Sequence, residues 1–467
     1  MTPPAPAGVL LRSPDWGKLM AVAVTDAAAA PMARAAEFLR AHDIRTVRAE
    51  WCDLHGVARG KRVRADHLLE SGAGGVSFSS ASIEMDLRGE IPWLDEAHLP
   101  WPNLYARPDP STLRLVAFEP HTAAVTCDVV DGAGEPVGFS PRQVLRRVLA
   151  EAEARGFACF VGAELEFYLF RDAQFSLLPP GKLAYRIRNS PQEQEVVEAI
   201  SRGLCDAALD CESIHAEDGP GQFEIVIRYG PALHVADAIF IARNMTKEVA
   251  CRAGLVATFL PKPLPNESGS GFHIHQSLRH RGDNAPAFCY HGDSIRACPT
   301  LERFLAGQLA YTPDLTALLL PTINAYKRAA TRRIRMNWGV DDRSASFRVL
   351  LRSEGFSLEH RVPGADANPY LFIAAALAAG LEGIDRQLET IPVIPGDPPD
   401  GDGDAPGARP LPTSLLRAVA MLRGSDVARR WLGDALVEKF AALKQDEAER
   451  FARAFTDWER REYLEYL

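Results

Sequence analysis

Polar and apolar positions alternate with a period of two along VGAELEFYLF, residues 161–170. Val161, Ala163, Leu165, Phe167 and Leu169 form one apolar face and Glu164 and Glu166 share the other, which predicts a β-strand. The period recurs in HAEDGPGQFEIVIRY, 215–229, where Glu217 precedes a Gly-Pro-Gly turn. There Gln222, Glu224, Val226 and Arg228 alternate with Phe223, Ile225 and Ile227. In SGSGFHIHQSL, 268–278, His273 and His275 share a strand face after a Gly-rich turn, and in SLEHRVPGADANPYL, 357–371, Glu359 and Arg361 do so. Helical spacing marks the segments between. One helix begins at Ser140-Pro141, with Ser as N-cap and Pro in the first turn. Others cover 191–210 and 233–253, and one starts at Asn368-Pro369. The tail from Ala435 to Leu467 is strongly helical, with charges opposite an apolar stripe. YLFIAAALAAGLEGI, 370–384, predicts a buried helix, too short to span a bilayer.

The first third reads differently. A helix from Met32 leads into strand-like TVRAEWCDL and a turn at HGVARGK, followed by strand signals in IPWLD, TLRLVAF and AVTCDVVD. This block closes near GEPVGFS, 134–140. The expected organisation is therefore a flexible Pro/Ala-rich segment over 1–31, a small α+β domain over 32–139, and a catalytic α+β domain over 140–467. GDPPDGDGDAPGARPLP, 396–412, reads as a flexible loop, and there is no internal repeat.

Composition narrows the function. Of 467 residues, 47% are hydrophobic and 24% charged, as in soluble globular proteins. The net charge of −9 implies no general affinity for nucleic acid or an acidic membrane. Eight scattered cysteines without a CxxC pair read as reduced thiols, not as a disulfide framework or zinc site, so a cytoplasmic location is expected.

Two glutamates side by side on one strand face repel, and the arrangement becomes favourable when a cation lies between them. Taken singly, each acidic segment has an ordinary explanation: a strand histidine is more often a hydrogen-bonded core residue, and a strand glutamate a solvated one. Together, Glu164, Glu166, Glu217, Glu224, Glu359 and His273 should line one face, a ligand set suited to Mg²⁺ or Mn²⁺ and poor for zinc. Arg328, Arg343, Arg348 and Arg361 lie on neighbouring segments. Carboxylates, metals and arginines form the composition needed to hold ATP phosphates beside an acidic substrate. No GxxxxGK[ST] loop is present, which argues against a P-loop mode.

GAELEF, GPGQFEI, LPKP, SGSGFHIHQSL, RSASFRV and EHRVPGADANPYL occur in this order, within a resemblance running from DLHGVARGK, 53–61, through PDPST, 108–112, to FTDWERREYL. In these motifs the chain resembles glutamine synthetase and its relatives, the γ-glutamyl-amine ligases. The resemblance implies a β-grasp-like N-terminal domain followed by a catalytic domain with an open antiparallel sheet flanked by helices. It also implies active sites between subunits of a homo-oligomer, a dodecamer-type double ring. ATP and two Mg²⁺ or Mn²⁺ ions per site follow from it. Carried over by motif, Glu166, Glu217 and Glu224 would hold one ion, and Glu164, His273 and Glu359 the other. Glu212, Tyr229, His275 and Ser277 match nucleotide-binding positions, and Arg343 and Arg348 match phosphate-binding arginines. Gly269, Arg328 and Arg361 match positions that hold the amino-acid substrate.

The chain departs from glutamine synthetase at the ammonium machinery. Where those enzymes carry F-D-G-S-S, the stretch is FSSASI, 78–83, with Ser79 at the aspartate position. Their flap, Y-K-R followed by P-G-Y-E-A-P, becomes Tyr326-Lys327-Arg328 followed by AATRRIRMNW, without an acid. Ser268 replaces the usual Asn before the His-containing strand, and Ser357 an expected Arg. The resemblance thus implies a ligase joining glutamate to an organic amine. An arylamine would need neither acidic device, whereas an alkylamine's charge could be met by Glu84 and Asp86, with Trp338 as a wall in either case. Ordinary glutamine synthetase and a non-catalytic regulatory relative are the alternatives.

Overall fold

The computed structural model describes residues 29–91, 101–178, 184–187, 190–289, 298–332, 334–352, 355–392 and 408–467. The segment expected over 1–31, the loop over 396–412 and the strand expected at IPWLD lie wholly or largely outside them. The remainder is α+β, built on two sheets.

The first sheet comprises β1 (Thr46–Cys52), β2 (Ala58–Arg64), β3 (Val76–Ser79), β4 (Asn103–Pro108), β5 (Arg114–Leu115) and β6 (Thr122–Val130). Its order is β2-β1-β6-β4-β3, with β5 also on β6. β1 and β6 run parallel and the other pairs antiparallel. The HGVARGK turn is shorter than expected: Gly56 adopts φ +84° and β2 starts at Ala58, so most of that stretch is strand. β2, β3 and β4 carry few consecutive apolar residues, which hid them from a pattern reading.

The second sheet comprises β7 (Phe157–Phe170), β8 (Cys211–Ala216), β9 (Gln222–Pro231), β10 (Val256–Thr258), β11 (Phe272–His280), β12 (Trp338–Val340), β13 (Phe347–Arg352) and β14 (Gly355–His360). The order is β12-β13-β14-β11-β7-β9-β8, with β10 on the end of β7. Pairing is antiparallel except between β12 and β13, which are parallel, so the sheet is mixed at that edge rather than wholly antiparallel. Val161, Ala163, Leu165, Phe167 and Leu169 are all buried in the core, as the alternation requires.

Helices Pro141–Ala154, Ala232–Arg252 and Pro369–Asp385 pack among the core elements. The last is buried along almost its whole length and crosses the helix Pro299–Leu319 where Gly307 meets Gly383; a Cβ on Gly307 would stand 2.7 Å from the Gly383 backbone nitrogen. Asn368 starts it as expected: its side-chain oxygen accepts from the Tyr370 and Leu371 amides, while its amide nitrogen donates to the Asp53 carbonyl at 3.0 Å. The tail is not one helix. Asp434–Ala452 ends, and a capping box of Thr456 with Glu459 starts Asp457–Tyr463. No helix among the described residues is long and apolar enough to cross a membrane.

One contact ties the helix Asp434–Ala452 to the turn between β1 and β2. His55 Nδ1 accepts from Lys444 Nζ at 3.0 Å. Burial, then Lys444, holds the imidazole well below its usual pKa of 6.5. The unfolded chain therefore binds a proton below about pH 6.5 that the folded chain refuses, and stability falls on acidification by up to about 1.4 kcal/mol per pH unit. Thermal unfolding between pH 7.5 and 5.5 should show His55→Asn with a shallower loss than wild type; equal slopes would remove His55 from this role.

Candidate active site

Strand register assembles the site in three rows. Arg348 on β13 stands opposite Glu359 on β14, which stands opposite His275 on β11. His273 faces Glu164 on β7. Glu166 faces Glu224 on β9, and Glu224 faces His215 on β8. Residues opposite one another on a sheet face are neighbours whatever their distance in sequence, so the alternation seen in each strand becomes a two-dimensional array.

The array floors a cleft of about 530 Å³, lined among others by Glu164, Glu166, Glu217, Glu224, His273, Gly269, Arg343, Arg348 and Arg361. His275 Nε2 donates to Glu164 Oε1 at 2.8 Å and His273 Nδ1 to Glu164 Oε2 at 3.4 Å. Three groups place one ligand atom per residue within 4.8 Å of the others: Glu164 with His275 and Glu359, Glu164 with Glu224 and His273, and Glu217 with Glu224 and His215. Glu166 lines the same cleft but belongs to none of them. Its Oε2 accepts from Gln222 Nε2 at 3.0 Å and from the Gly271 amide at 2.9 Å. His215 takes that place, with Nε2 3.2 Å from Glu217 and 3.6 Å from Glu224.

The electrostatics are those of a cation site. Burial first, then Glu164, Glu166, Glu217 and Glu359, pushes the Glu224 carboxyl up to about 10. Burial also opposes ionisation of Glu164, but hydrogen bonds from His273 and His275 outweigh it and hold that carboxyl below its usual range. Burial and Arg361 keep His273 neutral by lowering its pKa. Its Nε2, and Nδ1 of His275, are buried without a hydrogen-bond partner. An oxygen-rich donor set with imidazoles and mutually repelling carboxylates fits hard divalent cations.

The arginines form one wall. Arg348 bonds Asp341 and donates from Nη1 to Glu359 at 3.2 Å, and Arg361 bonds the other Glu359 oxygen. Arg343 is exposed at the cleft. Arg328 is wholly buried; Nη1 donates to the Val362 carbonyl at 2.9 Å, while Nε and Nη2 have no partner. It lies under the Gly269–Gly271 turn, where a Cβ on Gly271 would stand 2.7 Å from its Nη2 and 2.5 Å from His273 Nε2. The turn is glycine-rich because these side chains fill the space beneath it.

Of the expected nucleotide residues, His275 sits in the array against Glu164, and the others lie further along the sheet. Tyr229 and Ser277 share a hydrogen bond between their hydroxyls, and Tyr229 stacks on Phe160 at 5.5 Å. Glu212 is exposed on β8. Ser79, exposed at the end of β3, is not among the residues lining this cleft. Glu84 and Asp86 do not line it either: both are buried, Glu84 paired with Lys439 at 2.7 Å and Asp86 with Arg88 at 2.9 Å. Trp338 is also buried, its indole donating to the Ile391 carbonyl at 2.8 Å, so it packs the interior instead of walling the site. Residues not anticipated are His215 and Tyr185, whose ring stacks on His215 at 5.1 Å, whereas Thr331 and Arg332 belong to the expected flap and line the cleft. The alternation His215, Glu217 on the strand before the turn was the available signal for the first.

Residues 138–463 match the family model described as glutamine synthetase, catalytic domain. The chain belongs to the glutamine synthetase family. It is 33% identical over 454 residues to a glutamate–isopropylamine ligase of Pseudomonas sp., covering 92% of this chain and 97% of that one. It is 32% identical over 459 residues to a glutamate–methylamine ligase of Methyloversatilis universalis, covering 93% and 99%. Among solved structures, apo GmaS superposes with a TM-score of 0.80 at 31% identity, covering 92% of this chain and 99% of that one.

Proposed function

We propose that this protein is an ATP-dependent ligase that joins the γ-carboxylate of glutamate to an organic amine through γ-glutamyl phosphate. The observation that carries the reading is the cleft itself: the acids, histidines and arginines of the activation chemistry meet there, while the flap helix contributes Thr331 and Arg332 instead of an acid. Its likeness to ligases named for isopropylamine and methylamine supports the same reading. Glu217, Glu224 and His215, with Glu166 beside them, would hold one divalent cation, Mg²⁺ or Mn²⁺. Glu164, His273 and Glu359 would hold a second, with His275 positioning Glu164. Bound there, the cations would neutralise the phosphate and carboxylate charges that must approach each other.

We assign Arg343 and Arg348 to the transferred phosphate and Arg361, Arg328 and Gly269 to glutamate, a reading supported by the two unpartnered guanidinium nitrogens of Arg328 below the turn. Glu212, Tyr229, His275 and Ser277 are assigned to the nucleotide side. A γ-carboxylate oxygen attacks the γ-phosphorus of ATP and ADP leaves. The amine nitrogen then forms a bond to the acyl carbon, the carbon–oxygen bond to phosphate breaks, and the nitrogen gives its proton to solvent. Ser79 is assigned to the nitrogen side of a site completed by a neighbouring subunit in a double ring, which accords with its exposure away from this chain's own cleft. We further assign residues 32–139 as a β-grasp-like domain, supported by the parallel β1–β6 pair beside a hairpin, and 140–467 as the catalytic domain. All eight cysteines are free thiols, which supports residence in the cytoplasm.

The test is an amine panel read by mass spectrometry of the amide. Organic amines should give a higher kcat/KM than ammonium. An enzyme whose kcat/KM is highest for ammonium would return the protein to glutamine synthesis.

A further inference from the structure

We infer that Arg332 selects for a nucleophile carrying its own carboxylate, so that the amine substrate is an amino-carboxylate of the aminobenzoate or ω-amino-acid kind and not a simple alkylamine. This rests on the ligase reading above and sharpens it.

The helix Ile323–Arg332 carries Arg328 and Arg332 four residues apart, and hence on one face. The inner arginine is wholly buried beneath the glycine turn; the outer is exposed and, with Thr331, lines the cleft. The charge of Arg332 reaches Arg328, where it adds to burial in weakening the guanidinium's hold on its proton. Three neighbouring cations are occupied, Arg348 by Asp341 and Glu359, Arg361 by Glu359, and Lys262 by the Glu267 carbonyl, while Arg343, exposed on the same cleft, is the one assigned above to the phosphate. Among the described residues no carboxylate pairs with Arg332.

An alkylammonium entering this cleft meets Arg332 as a like charge. A carboxylate on the same molecule turns that repulsion into attraction, and the planar guanidinium matches a carboxylate with two parallel hydrogen bonds. The same positive charge also favours the neutral form of a nearby amine. That would serve in place of the carboxylate this flap lacks, since only the neutral amine has the lone pair that attacks the acyl carbon. Arg332 is exposed, so replacing it removes no core packing.

The experiment compares matched pairs, 4-aminobenzoate with aniline and 4-aminobutyrate with butylamine, for wild type, Arg332→Ala, Arg332→Lys and Arg332→Glu. Wild type should favour the carboxylate member of at least one pair about 10-fold or more in kcat/KM, a span expected of a charge-assisted hydrogen bond. Arg332→Ala should erase that ratio through the amine KM, Arg332→Lys should restore part of it, and Arg332→Glu should reverse it toward butylamine. Preference for the uncharged member of both pairs in wild type would overturn the inference. So would a rise in the KM of glutamate or ATP in Arg332→Ala with the amine ratio untouched. Hydroxylamine, a small and largely neutral nucleophile, separates the two levels. Hydroxamate formation without a carboxylate preference removes this inference and leaves the ligase, whereas neither hydroxamate nor amide removes both.

Discussion

Glu224→Gln should lower kcat by about 10²–10³-fold, the scale seen when one electrostatic contact to a reacting centre is lost, while leaving the metal-free protein at least as stable as wild type. The two effects have one cause. Glu224 is buried among Glu164, Glu166, Glu217 and Glu359, and it belongs to two of the three close ligand groups. Without cations, burial and the neighbouring carboxylates keep this carboxyl protonated at neutral pH, so folding must take up a proton, a cost that glutamine avoids while keeping the shape. With cations the ionised carboxylate is a ligand, and wild type gains stability by RT ln(1 + [L]/Kd), which the variant largely forfeits. Thermal unfolding with and without Mn²⁺, together with calorimetric Mn²⁺ stoichiometry, reads both. A variant with wild-type stoichiometry and an unchanged Mn²⁺-induced rise in Tm would show that Glu224 is not a ligand. A metal-free variant much less stable than wild type would show that its carboxylate is structural instead.

Most of this site was legible because its residues sit on strands, where a period of two assigns each side chain to a face from local sequence alone. That is why Glu164, Glu224, His273 and Glu359 could be grouped before any fold was known. What local sequence could not supply was register. The row that joins Glu166 to Glu224 to His215 depends on how β7, β9 and β8 pair. The alternation of His215 with Glu217 hinted at a shared face, but the place of His215 beside Glu224 needed the pairing of β8 with β9. The way Gln222 and Gly271 take up one oxygen of Glu166 likewise became visible only in three dimensions. Trp338, Glu84 and Asp86 were misplaced for a related reason. Nearness in sequence to an altered motif says nothing about direction, and each turns to a partner in the interior.

The fold divides the same way. The long amphipathic and apolar helices and the core strands announced themselves. β2, with three exposed residues in the run Gly60–Arg62, and the short β12 did not, since an edge strand needs little apolar pattern. The expectation of a wholly antiparallel catalytic sheet failed at β12, where the chain returns beside β13 in parallel after the flap.

Arg142→Met should destabilise the protein by about 3–5 kcal/mol, the range for breaking one side of a buried ion pair. Arg142 opens the helix that follows the first sheet and is 3% exposed. Its guanidinium donates to Asp237 at 2.9 and 2.8 Å, to Asp128 at 2.6 Å and to Asp109 at 2.8 Å. Asp109 and Asp128 belong to the first sheet and its connections, and Asp237 to the core helix Ala232–Arg252, so one side chain joins the two halves of the molecule. The loss is not shared equally. Arg146 also reaches Asp109 at 2.9 Å and Asp128 at 3.1 Å, whereas among the described residues Asp237 is left with only the Tyr370 hydroxyl, which donates to it at 2.7 Å. Most of the cost is therefore an uncompensated charge on Asp237. It follows that Arg142→Met/Asp237→Asn should recover much of the stability, because asparagine still accepts from Tyr370 and carries no charge. Thermal unfolding at fixed protein concentration measures this, and a double variant no more stable than Arg142→Met would place the cost in lost packing around the arginine's stem instead.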